Sequence, residues 1–333
     1  MLTVRLGKER TAHLPVQVSE SAQNQHLLIL GRSGSGKTYA LKAIEEALVK
    51  DGACVIALNF GDTHDGVSGE WVKWMRIREN GFPFRLLTEK NPDDSAAKAL
   101  GMFETVGKLQ SRQRRVLRKA LRKTAEVNSA NEIPILREVM RRMGFGDDST
   151  EEAVEILDGK FYEFFHAVTI KEQEAIVPGK LVVLDFSGFM QTTQRMLTEF
   201  AMSALWQQIR SIPPEVPTYL VADEFQNLRL REGSALGEIL REGRKYRLNL
   251  LMATQTIATF PKEFRALLDM PATKLFFQPA ESDIKNIAAY LPFSKGDCRN
   301  ILCELKQGEA LAVGEFQIEN TVIATPLVVT FRR

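Results

Sequence analysis

Cysteine is scarce in this chain, with three among 333 residues: Cys54, Cys298 and Cys303. Their spacing suits no metal site, and Cys54 falls in an apolar run where a buried thiol is expected. The fold stands without covalent staples, as suits a reducing cytoplasm. Long hydrophobic runs are missing too. No apolar stretch approaches the roughly 20 residues that span a bilayer, and Met1-Leu2-Thr3-Val4-Arg5 begins no secretory signal. A soluble, cytoplasmic protein with no membrane partner is therefore expected. Excess charge of one sign is also lacking, because 44 Lys and Arg stand against 42 Asp and Glu. Proteins that coat nucleic acid by bulk electrostatics carry a strong positive excess, so any nucleic-acid contact here must be local. Internal repeats and low-complexity linkers are not found. What remains is an ordinary globular composition, 44% apolar, at a length that suggests about two domains.

What is present is concentrated at residues 31–38. Gly31-Arg32-Ser33-Gly34-Ser35-Gly36-Lys37-Thr38 is a complete phosphate-binding loop, and His26-Leu27-Leu28-Ile29-Leu30 before it reads as a buried strand. Gly31 and Gly36 let the backbone wrap so that successive N–H groups of Gly31, Ser33, Gly34, Ser35 and Gly36 converge on phosphate. Lys37 reaches the β- and γ-phosphates, the Thr38 hydroxyl ligates Mg²⁺, and the helix that starts near Gly36 adds its dipole. Tyr39, Leu41, Ile44 and Leu48 give that helix its period. A nucleoside triphosphate is the expected ligand.

Further continuously apolar runs read as strands covered on both faces: Ala53–Leu58, Leu181–Leu184, Thr218–Ala222 and Leu248–Ala253. Helix-period segments separate them, which predicts an α/β fold with a mostly parallel sheet. Ala310–Val313, Val322–Ala324 and Leu327–Phe331 read as edge strands, with a polar turn at Gln317–Asn320. Between about residues 90 and 176 the strand signal gives way to helical periodicity, an inserted helical subdomain. The expected division is 1–89 for the first part of the core, 90–176 for the insertion and 177–333 for the second part. Within the insertion, Arg112, Arg114, Arg115, Arg118, Lys119, Arg122 and Lys123 crowd one helix opposite Leu109, Val116, Leu117, Ala120 and Leu121. That face is either simply solvated or a contact for DNA phosphates or an acidic subunit surface.

Hydrolysis needs a base, a sensor and positive charge. Asp223-Glu224 ends the strand at 218–222, where one carboxylate can hold Mg²⁺ and its water shell and the other can polarise the attacking water. Asp223 is assigned to the metal and Glu224 to the base. Gln255 ends the following strand. Where an extra strand separates the phosphate-loop strand from the acidic strand, a polar side chain there faces the γ-phosphate and orients water; the alternative is a plain capping or turn residue. In Arg241-Glu242-Gly243-Arg244-Lys245-Tyr246, Arg244 is positioned to act as a finger on a neighbouring subunit's triphosphate, Arg241 less so, with a surface arginine as the alternative for both.

Together these motifs resemble the HerA branch of the HerA/FtsK superfamily of DNA-translocating P-loop ATPases. The resemblance rests on residues 31–38, Asp223-Glu224, Glu242–Tyr246 and Ala253-Thr254-Gln255. Leu184–Gly188 is similar to the strand before the acidic strand in that branch, and Asn59-Phe60-Gly61-Asp62 stands in place of its acidic turn. It covers roughly residues 20–325. It implies a RecA-like core, ATP with Mg²⁺ at subunit interfaces, a homo-hexameric ring, duplex DNA in the channel, and a nuclease or other effector as partner in DNA processing or defence against foreign DNA. Two departures stand out. Members usually carry an N-terminal β-barrel of about a hundred residues, whereas about 25 precede the first expected strand here, and Asn59 stands where many relatives have Asp. FtsK-type pumps and conjugative coupling ATPases are near neighbours that commonly carry membrane segments. The rival reading is a scaffold ATPase whose nucleotide-dependent ring assembles an effector without translocation; a metabolic kinase fits the Glu224, Gln255 and arginine set poorly.

Overall fold

The computed structural model describes residues 3–145, 147–228, 234–258, 260 and 262–331, with the side chains of Asp62, Asn227, Lys262 and Glu263 outside that description. The strands are β1 (Arg5–Glu9), β2 (Pro15–Val18), β3 (Leu27–Leu30), β4 (Cys54–Asn59), β5 (Val72–Arg76), β6 (Leu181–Asp185), β7 (Thr218–Ala222), β8 (Leu248–Thr254), β9 (Thr273–Phe277), β10 (Glu309–Val313), β11 (Phe316–Ile318), β12 (Thr321–Ile323) and β13 (Leu327–Thr330). The helices are α1 (Lys37–Lys50), α2 (Ile77–Asn80), α3 (Pro92–Val106), α4 (Ser111–Val127), α5 (Glu132–Gly144), α6 (Asp148–Lys160), α7 (Tyr162–Ala167), α8 (Gln191–Ser211), α9 (Ala235–Glu242), α10 (Lys262–Asp269), α11 (Glu281–Ile287) and α12 (Lys295–Glu304). The chain divides into two compact units, one within Met1–Lys73, Ile176–Val183 and Pro213–Arg333, the other of Trp74–Ala175 with Leu184–Ile212.

The first unit is built on a sheet whose centre runs β9-β3-β8-β7-β4. Every pairing there is parallel, with Leu28 opposite Met252, Ile29 opposite Leu275, Ile56 opposite Leu220 and Leu220 opposite Leu250. All residues of these strands are buried, which is why they read as unbroken apolar runs rather than alternating ones. The carboxyl ends of β3, β7 and β8 face the same way, and ligands of open α/β sheets bind at that end.

Beyond β9 the sheet turns antiparallel, in the order β9-β10-β13-β1-β2-β11-β12. The sheet is thus mixed. The strands at 309–313 and 327–330 are not edges: β10 lies between β9 and β13, and β13 between β10 and β1. Their cover comes from β1 and β2, whose polar sequences Arg5–Glu9 and Pro15–Val18 carry a weak strand signal. The edge belongs to β12, and the expected turn at 317–320 begins inside β11.

The second unit is helical apart from short strand ends. Asn91 caps α3 by accepting from the Asp93 N–H with Pro92 in the first turn, and Asp147 caps α6 by accepting from the Ser149 and Thr150 N–H groups. Its core gathers Phe103 with Phe161, Phe164, Phe165 and Phe200 at ring separations of 5.0, 5.3, 6.0 and 5.9 Å. Val116, Leu117, Ala120 and Leu121 of α4 are buried, leaving its cations outside. Among the described residues, no helix is long and apolar enough to cross a membrane.

Candidate nucleotide-binding and hydrolytic site

The loop after β3 owes its shape to its glycines. Gly34 and Gly36 sit at φ 76° and 104°, a region that residues with a Cβ avoid. Gly36 has a second constraint, since a Cβ there would lie 2.7 Å from the Gly308 nitrogen. That close approach lets the Gly308 N–H donate to the Ser35 carbonyl at 2.9 Å, which ties the loop to the turn before β10. Gly31 is pressed against β9, its missing Cβ 2.6 Å from that of Phe277.

Ser33, Gly34, Gly36, Lys37 and Thr38 line a cavity of about 320 Å³, whose other wall holds Asp223, Glu224 and Gln255. Gly31 and Ser35 shape the loop without lining the cavity, and the buried Ser35 hydroxyl has no hydrogen-bond partner among the described residues. Lys37 folds back to donate from Nζ to the Arg32 carbonyl at 3.1 Å. Burial pushes its ammonium below the ordinary lysine range, opposed by the charges of Asp223 and Glu224.

The two carboxylates differ in setting. Burial pushes Asp223 up from its ordinary value, against the bonds it accepts: Oδ2 from the Thr63 hydroxyl at 2.9 Å and Oδ1 from the Glu224 N–H at 2.9 Å. Glu224 has a left-handed backbone, φ 54° and ψ 43°, and its Oε1 accepts from Gln255 Nε2 at 2.7 Å. Gln255 reaches it because β8 lies between β3 and β7. The backbone just past Gln255 is held by buried Asp283, whose Oδ1 accepts from the Ile257 and Ala258 N–H groups at 3.0 and 2.8 Å.

Arg244 is elsewhere. It lies in the turn Gly243–Tyr246 that leads into β8, exposed and donating to the Gln23 carbonyl, while Gln255 follows the far end of that strand. Seven residues of strand put about 23 Å between those ends. Within one chain Arg244 therefore stays outside the cavity. Arg241 ends α9. Asn59 is buried away from the cavity lining, and the side chain of Asp62 lies outside the described residues.

The cavity also takes in Tyr39, Thr63 and Gln307, which sequence reasoning missed as site residues. Tyr39 belongs to the expected apolar stripe of α1 yet is 47% exposed. Thr63 follows a parallel strand at its carboxyl end, a positional signal that was legible. Gln307 comes to the loop beside the Ser35–Gly308 bond, a contact across the chain that no local pattern announces.

The donor set fits a Mg²⁺–triphosphate. Gly34, Gly36, Lys37 and Thr38 line the cavity together with Asp223; Lys37 would supply charge, and the Thr38 hydroxyl with Asp223 would make a partial ligand set of the kind Mg²⁺ completes with phosphate and water.

A parallel-centred α/β sheet whose Gly-rich loop opens a helix, with an acidic strand and an intervening sensor strand, defines a RecA-like P-loop NTPase. Residues 4–205 match the domain family DUF87, described as "Helicase HerA, central domain", and the chain belongs to that family. Among solved structures it is similar to VirB4 of Thermoanaerobacter pseudethanolicus, at 19% identity and TM-score 0.76, covering 97% of this chain and 96% of that one. It is similar also to the bacterial conjugative coupling protein TrwB lacking 70 N-terminal residues, at 15% identity and TM-score 0.67, covering 98% and 89%. TrwB in complex with ADP and Mg²⁺ aligns at 16% identity and TM-score 0.62, covering 92% and 86%. No curated protein sequence matches the chain.

Proposed function

We propose that this chain is an ATP-hydrolysing ring motor that moves duplex DNA. The observation that carries the reading is the Gln255–Glu224 bond across from the phosphate loop. Gln255 occupies Oε1 and so turns Oε2 of Glu224 into the free acceptor, the atom that takes the proton from the attacking water. The loop N–H groups and Lys37 bind and orient the triphosphate. Thr38 and Asp223 would hold Mg²⁺, which would supply charge neutralisation to the bound triphosphate. The ADP and Mg²⁺ bound by TrwB, and its description as a conjugative coupling protein, support the ligands and the DNA-moving role by likeness of fold.

Arg244, exposed at the opposite end of β8, serves a neighbouring subunit's nucleotide, which requires a closed ring, a hexamer on the family pattern. DNA contact falls to local cations. Arg76 is engaged over the Trp74 ring, and Arg78 with Glu163, the Gly188 carbonyl and the Phe189 ring. Arg115, Lys119 and Lys123 instead line an open cavity of about 580 Å³ with Arg142. A nuclease or other effector partner, in DNA processing or defence against foreign DNA, completes the reading.

The near-balance of charge, 44 cations against 42 anions, favours the second reading, a scaffold ATPase that assembles an effector without translocation. Duplex DNA decides between them. A motor hydrolyses ATP faster when duplex is added, Lys37→Ala abolishes both rates, and the stimulation fades steeply with salt. A parent rate indifferent to DNA at low salt hands the function to the scaffold.

A further inference from the structure

We propose that Glu45, His64 and Asn59 form a buried positioning unit that holds the Thr63 hydroxyl on Asp223 and thereby orients the carboxylate assigned to Mg²⁺. The three side chains are 1%, 0% and 1% exposed, although all are polar. Buried groups of this kind must be mutually satisfied. They are: His64 Nε2 lies 3.0 and 3.2 Å from the two Glu45 carboxylate oxygens, and Nδ1 lies 3.2 Å from Asn59 Oδ1. The Asn59 amide is oriented by its own donation from Nδ2 to the Gly61 carbonyl at 2.7 Å, so the oxygen faces the ring. Both ring nitrogens thus lie within hydrogen-bond distance of side-chain oxygens.

What the unit connects is more telling than what it contains. Glu45 stands two turns along α1 from Lys37, Asn59 ends β4, and His64 closes the short helical turn Asp62–His64. The segment after β4 is therefore clamped to the phosphate-loop helix. Thr63, one residue from the clamp, donates to Asp223 Oδ2 at 2.9 Å and lines the nucleotide cavity. With Oδ1 held by the Glu224 N–H at 2.9 Å, the carboxylate is fixed from both sides. Asn59 serves here through its amide, a bond an aspartate could not make to the Gly61 carbonyl.

The inference rests on the cavity being a Mg²⁺–ATP site, and the experiment separates the two. In the full chain, Thr63→Val, His64→Gln and the double variant are compared for the Mg²⁺ concentration at half-maximal ATPase, for ADP affinity with and without Mg²⁺, and for melting temperature. Each single change should raise the Mg²⁺ requirement by roughly 10-fold, the order seen on removing outer partners of metal ligands. ADP affinity without Mg²⁺ should hold, and the double variant should be no worse than Thr63→Val. His64→Gln that melts earlier with parental Mg²⁺ dependence, or effects that simply add, overturns the inference. If His64→Gln does not fold, Thr63→Val decides alone, and a parental Mg²⁺ requirement overturns it. A parent that neither binds ADP with Mg²⁺ nor hydrolyses ATP overturns the cavity reading together with this one.

Discussion

Glu224 holds a backbone conformation, φ 54°, that costs a residue with a side chain on the order of 1–2 kcal/mol. Strain of this kind survives where its surroundings hold it in place, and here Asp223 Oδ1 accepts the Glu224 N–H while Gln255 fixes the carboxylate. Another polar residue bears on stability instead. His26 Nδ1 accepts the Leu250 N–H at 2.9 Å, and burial holds the ring down to about 4 from an ordinary 6.5, so the folded form is neutral. As pH falls the unfolded chain takes up this proton near 6.5 and the folded chain only near 4. Stability therefore drops across that window and levels off below it, by an amount on the order of 3 kcal/mol. Denaturant midpoints at pH 7 and pH 4.5 check this. The loss on acidification should shrink in His26→Gln, and an undiminished loss would contradict the assignment.

Helix α4 sorts its own cations. Arg112 pairs with Asp147, Arg114 with Glu104 and Arg122 with Glu126, whereas Arg115, Lys119 and Lys123 recur every four residues, exposed and without an ion pair among the described residues. Reversing those three to Glu should leave the fold intact, because each is solvated, yet remove most of the DNA stimulation of ATPase. Reversal that leaves stimulation at the parental level would return α4 to a plain solvated face. The sequence announced the burden of charge but not all of its division, since Glu126 lies on α4 itself whereas Glu104 and Asp147 come from elsewhere in the chain. The same limit governed the strands. β3, β4, β7 and β8 were legible as apolar runs because both faces are covered, and with them came the phosphate loop, Glu224 and Gln255. Strand β9, Thr273-Lys274-Leu275-Phe276-Phe277, carries a lysine at its second position and was not read, although its Lys274 is buried by donating to the Asp269 and Pro271 carbonyls and lying over the Tyr290 ring. β1, β2 and the interior place of β13 followed from pairings far apart in sequence, Lys8 with Thr330 among them, which no local period encodes.

At the scale of the whole molecule, Arg244 lies about a strand's length from its own chain's cavity, so the finger role proposed for it requires a neighbouring subunit. Mixing tests this: Arg244→Ala and Lys37→Ala subunits, each nearly inactive, should regain part of the activity together, since one kind of mixed interface joins an intact loop to an intact arginine. No recovery in rings shown to contain both subunits would remove Arg244 from the site. Narrower still is the proposed role of Glu224 as the base of an ATP-hydrolysing centre. It is tested most directly by turnover of ATP with Mg²⁺ in the parent and in Glu224→Gln, with the nucleotide left on the protein identified. The variant should retain unhydrolysed ATP and turn over at least ~100-fold more slowly, because loop and Lys37 still bind while Oε2 no longer takes the proton. Glu224→Gln hydrolysing ATP at the parental rate would contradict it.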